Sequence, residues 1–68
     1  NMGKRFENPE GIVMMMTLKG MHQVHSHNVN GVHIFKTTDK QRALNHFQDM
    51  VKEMEVLHDS GNVNVSSS

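Results

Sequence analysis

The sequence predicts a small α+β domain: an antiparallel sheet of three strands, or four if a short C-terminal segment pairs, with one amphipathic helix packed on one face. Three observations carry this expectation. Residues 12–18 (Ile-Val-Met-Met-Met-Thr-Leu) form an apolar run bounded by Gly11 and by Lys19-Gly20, which is strand length and too short for a typical helix. Asn30-Gly31 lies between two segments rich in β formers, and Asn-Gly is the strongest short-range hairpin signal. From Ala43 to Leu57 the apolar residues recur at spacings of three and four, as in a helix with one apolar stripe. The expected order is β-β-β-α, with a final β at residues 62–65, all in a single domain.

Residues 1–10 (NMGKRFENPE) mix charges with one Gly and one Pro, show no periodicity and are expected to be flexible. The 12–18 run does not alternate with polar residues, which implies that both of its faces are covered, as in a central strand. Residues 21–36 read as a hairpin, with Met21, His22, Val24, His25 and His27 leading in and Val32, His33, Ile34 and Phe35 leading out. A type I′ turn needs φ > 0 at both central positions. With Asn30-Gly31 placed there, Val29 faces Val32, His27 faces Ile34 and His25 faces Lys36. Thr38-Asp39-Lys40-Gln41 fits a capping box, with Thr38 as N-cap and Gln41 three residues on.

The helix is expected over about 39–59, its stripe formed by Ala43, Leu44, Phe47, Met50, Val51, Met54 and Leu57. Lys40, Asn45, Gln48, Asp49, Lys52, Glu53 and Glu55 occupy its other side. His58 suits the negative end of the helix dipole, and Gly61 is a natural stop. Asn62-Val63-Asn64-Val65 alternates at the strand period and adds an edge strand or frays, with residues 66–68 as tail.

Composition narrows the function. The 68 residues hold seven Lys/Arg and seven Asp/Glu, six His and no Cys, which excludes a disulfide scaffold, a thiolate zinc finger and a cysteine nucleophile. A nucleic-acid binder normally shows a basic excess, so that class is disfavoured. No apolar stretch approaches the roughly 20 residues a membrane span requires, and without an apolar leader the expected location is cytoplasmic. A chain this short buries only about 60% of the surface its unfolded form exposes. Burial and conformational entropy nearly cancel at this size, so a metal or a partner chain is the expected source of extra stability.

Four histidines, His22, His25, His27 and His33, fall within twelve residues. His22, His25 and His27 are candidate ligands for zinc, or for copper or nickel, because imidazoles two apart on a strand share a face. His33 falls on the opposite face from His25 and His27. The bland alternative is a set of polar strand positions facing solvent. Met14, Met15, Met16 and Met21 beside them would suit soft Cu(I), although methionine also fills irregular cores without any metal. The absence of a phosphate loop, HExxH or G-x-S-x-G argues against an enzyme. His46 with Asp49, or Ser26 between two histidines, is the nearest thing to an acid–base set.

The expected function is therefore a small non-enzymatic protein-binding module, a regulator, inhibitor or adaptor, that also pairs with itself as a dimer. Such a profile suits an accessory protein of a virus or mobile element. Open sheet edges or the bare sheet face would serve the contact, and Met14, Met16, His46 and Val56 are its candidate residues. The rival is the histidine metal module, with zinc as cofactor; otherwise no cofactor is expected. A weaker alternative is anion or nucleic-acid docking at Lys36, Lys40 and Arg42, grouped where the last strand meets the helix N-terminus.

Overall fold

The computed structural model describes the backbone of residues 3–67 and the side chains of residues 3–60. Strands β1 (Lys4–Asn8), β2 (Gly11–Leu18), β3 (Met21–Asn28) and β4 (Gly31–Thr37) are followed by helix α1 (Lys40–Ser67). The strands pair in sequence order into one antiparallel sheet, and the helix runs back across one of its faces. The expected α+β class is what forms, with four strands and the order β-β-β-β-α.

The fourth strand is at the N-terminus, in the segment where the sequence shows no periodicity. β1 pairs with β2 from Lys4↔Met15 to Asn8↔Gly11. It needs little apolar character because it is an edge. Phe6 alone turns a large apolar side chain to the helix, while Arg5 and Glu7 form an exposed ion pair at 3.0 Å on the other face. Charges on an edge strand also discourage further pairing. The expected strand at 62–65 does not form: these residues continue helix α1. An established helix gains one hydrogen bond per added residue, and a glycine such as Gly61 in its interior costs only about 1 kcal/mol relative to alanine.

Turn chemistry sets the register. The two turns at one end of the sheet have the same form, Asn8-Pro9-Glu10-Gly11 and Asn28-Val29-Asn30-Gly31. In each, the first asparagine's Oδ1 accepts the N–H two residues on, at 2.8 Å from Glu10 and 2.7 Å from Asn30. Neither Pro9, Glu10, Val29 nor Asn30 has positive φ. Asn first, Pro second and Gly fourth is the type I signature. The expected type I′ turn on Asn30-Gly31 is therefore displaced by one residue: Val29 and Asn30 are central, Asn28 pairs with Gly31, and His25 faces Ile34 instead of Lys36. The side chain of Asn28 decides this, since it can bond the chain only from the first turn position. The positive-φ turn lies elsewhere, at Lys19 (φ 53°) and Gly20 (φ 78°) between β2 and β3.

The helix begins one residue later than the capping-box reading. Asp39, not Thr38, is the cap: its Oδ1 accepts from the N–H groups of Gln41 (3.0 Å) and Arg42 (3.3 Å). Thr37 Oγ1 in turn accepts the Asp39 N–H at 3.0 Å. A carboxylate is favoured over a hydroxyl here because it also answers the positive end of the helix dipole. Gln41 turns forward to donate to Asn45 Oδ1.

The helix stripe meets the sheet as its spacing predicts. Val13, Met15, Val24, Ala43 and Met54 are buried, and Phe6, Phe35, Leu44, Phe47, Met50 and Val51 pack around them. At the far end Asn8 Nδ2 donates to the Met54 carbonyl at 3.1 Å and His58 Nδ1 lies 3.4 Å from Glu10, so the helix is tied to the first turn as well as capped.

Gly11 is the glycine this packing depends on. Its φ is +157°, and a Cβ there would collide with the His27 carbonyl oxygen of the neighbouring strand, whereas a Cβ on Gly20 meets nothing. Gly11→Ala should therefore lower unfolding stability in urea by about 2 kcal/mol or more. Gly20→Ala should cost roughly 1 kcal/mol, the penalty of left-handed φ alone. Equal losses would remove the close strand approach from the account.

Candidate functional site

Strand parity divides the side chains between a face under the helix and a face that no element covers among the described residues. On β2, Val13 and Met15 point to the helix and are buried. Ile12, Met14, Met16 and Leu18 alternate with them and point the other way. The registers assemble this open face in rows across the sheet: Glu7, Ile12, His27, Val32; then Arg5, Met14, His25, Ile34; then Met16, Gln23, Lys36; and last Leu18 with Met21. Leu18, Val32 and Ile34 are 61%, 60% and 54% exposed. His25 Nε2 lies 3.0 Å from Gln23 Oε1 on this face. The centre of the open face is thus a mixture of methionine, branched aliphatic and imidazole groups, with charges at its margins.

The candidate interface residues separate. Met14 and Met16 stand in the middle of the open face. His46 lies on the helix, its ring stacked on Phe35 with centroids 4.2 Å apart and planes 20° apart, and Val56 is 61% exposed on the helix. These two are across the sheet from the methionines. Leu18, Met21, Val32 and Ile34 belong to the open face and are not singled out by sequence alone. The non-alternating 12–18 run is a signal for Leu18, whereas Met21, Val32 and Ile34 are placed by the cross-strand registers.

The candidate metal ligands also separate. His25 and His27 share the open face, but His22 points to the helix side, where Thr17 Oγ1 lies 2.7 Å from its Nδ1. His33, opposite Ser26, is on the helix side too. Among the described residues no three His, Asp or Glu side chains gather as a metal site. A zinc ion with more than two imidazoles on the open face would need ligands from a second chain.

Lys36, Lys40 and Arg42 do not converge. Lys36 is in the open face, Lys40 borders a cleft at the helix N-terminus, and Arg42 borders a separate, shallower one with Phe35, Asn45, His46 and Asp49. Among the described residues no helix is long and apolar enough to cross a membrane.

Ser26 is not placed to act with its neighbours. It is 1% exposed under the helix, while His25 and His27 project from the other face. Its hydroxyl has no hydrogen-bond partner among the described residues. Compared with known proteins, the chain matches no family model, no curated sequence and no solved structure.

A buried hydroxyl without a partner costs roughly 1–3 kcal/mol. Ser26→Ala should consequently leave the thermal midpoint unchanged or raise it by a few degrees. A fall of several degrees would show that the hydroxyl is satisfied in solution.

Proposed function

We propose that this chain is a non-enzymatic interaction module that works as a self-associated pair, two copies packing their open sheet faces together. The observation that carries the reading is β2. Its apolar side chains point to both faces, and among the described residues one helix covers only one of them. Fully burying a Val, Leu, Ile or Met side chain contributes roughly 1.5–3 kcal/mol. A domain this small has little other surplus to draw on.

A second copy suits the face better than a different partner of strong charge. Arg5 and Glu7 already neutralise each other, and the centre carries Met, Ile, Val and His. Two twisted sheets of this kind pack with their strands about 30° apart and their inner side chains interdigitated. The flexible thioethers of Met14, Met16 and Met21 adapt to such a contact. In a regulator or adaptor, the paired sheets would leave both helices outward for a further protein partner.

Sedimentation of the whole chain over a range of concentrations tests this, alongside Met16→Lys on β2 and Ile34→Lys on β4, which place a charge on the open face without touching the buried core. The wild-type chain should move from monomer to dimer as it is concentrated. Both variants should stay monomeric while keeping the wild-type circular dichroism spectrum. A wild-type chain that is monomeric throughout, or variants that dimerise as it does, would contradict the proposal.

A further inference from the structure

On the helix side of the sheet, away from the open face, a cleft of about 340 Å³ lies between β1, the β2–β3 end of the sheet and the first turn of α1. That volume is at the small end of ligand pockets, which run from about 300 to 1,000 Å³. Met15 and Leu44 give the cleft an apolar lining. Lys4 from β1, His22 from β3 and Lys40 from α1 border it, with Thr17 beside His22 and no acidic side chain among the lining residues.

Three features of this cleft point to an anion with an apolar body. Both lysines border one small space, yet the ion pairs among the described residues are Arg5–Glu7 and His58–Glu10, so neither ammonium has a carboxylate of its own. In a chain of zero net charge, that is a local excess of positive charge from two separate elements. His22 is held by its contact with Thr17 at 2.7 Å through Nδ1. A hydroxyl both donates and accepts, so this contact is compatible with the Nε2–H tautomer, in which the ring has a donor left for a ligand. Met15 and Leu44 also line the cleft and offer hydrocarbon contact that an inorganic ion cannot use.

We propose that this cleft binds a small organic carboxylate, its carboxyl group between Lys4 and Lys40 with His22 Nε2–H as third donor, and its short alkyl or aryl body against Met15 and Leu44. Charge-assisted hydrogen bonds fix the head group, and the apolar floor selects against ions without a tail.

Amide NMR titration of the full chain with hexanoate, acetate and inorganic phosphate tests the assignment. Each buried methylene multiplies affinity roughly fourfold, so hexanoate should bind at least about tenfold more tightly than acetate or phosphate. Its shifts should centre on Thr17, His22, Lys40 and Leu44. The exposed double substitution Lys4→Ala/Lys40→Ala should weaken it about tenfold or more with the fold unchanged. Shifts centred instead on Met14 and Ile34 would assign the hexanoate to the open face and overturn the proposal. Phosphate binding as tightly as hexanoate, no saturable shift, or no effect of the double substitution would overturn it too.

Discussion

Strand β2 carries apolar side chains toward both faces of a sheet that has one helix to cover it. Val13 and Met15 are buried by that helix; Ile12, Met14, Met16 and Leu18 are left to the other side. Much else in the molecule is arranged around this strand. It is central, paired to β3 along its whole length and to β1 from Gly11 to Met15, so most of its backbone is used within the sheet and its side chains remain to make contacts. The helix places its stripe over Val13, Met15 and Val24 and closes a small core. Among the described residues no second layer lies over the remaining face, and an apolar sheet face is ordinarily buried against another layer.

Which residues fall on which face follows from the turns. Side-chain parity has a period of two, so a one-residue slip in any hairpin would exchange the faces. The type I turns at Asn8 and Asn28 and the positive-φ turn at Lys19-Gly20 hold the parity that buries Val13 and Val24. The same parity sends His22 under the helix and His25 and His27 to the open face. The placement of the histidines is thus decided by backbone turns and core packing, and the open face receives imidazoles among its methionines as a consequence. The helix is fixed by the Asp39 cap at its start and, further along, by Asn8 and Glu10 at Met54 and His58, which keeps its stripe over the sheet.

Most of this architecture is legible in the sequence because the signals are periodic. The 12–18 run, the Asn-Gly hairpin and the 43–57 stripe are each long enough for their spacing to identify the element. β1 is not legible for a physical reason: an edge strand with one inward aromatic needs no repeating apolar pattern. The exact hairpin pairing was obscured by Asn30-Gly31, whose type I′ preference competes with the Asx turn that Asn28 begins. At the helix start two neighbouring oxygen side chains were available, and the carboxylate took the cap. The open face is half legible. Met14 and Met16 stand out as oddities of composition, but Leu18, Met21, Val32 and Ile34 join them only once cross-strand registers are known. The cleft bordered by Lys4, His22 and Lys40 unites residues far apart in the chain, which no local pattern could bring together.

The central claim is that the open face is covered in the assembled protein, and methionine is a natural reporter of it. Met14 and Met16 lie on that face, while Met15 on β2 and Met54 on the helix are buried between sheet and helix. The most direct measurement is the effect of a soluble, neutral paramagnetic agent on the methyl resonances of labelled methionine, recorded from dilute to concentrated protein. Met15 and Met54 should be protected throughout, and Met14 and Met16 should lose their exposure to the agent as the chain is concentrated. If Met14 and Met16 remain equally exposed at every concentration while the core methionines stay protected, the face is bare in solution and the account fails.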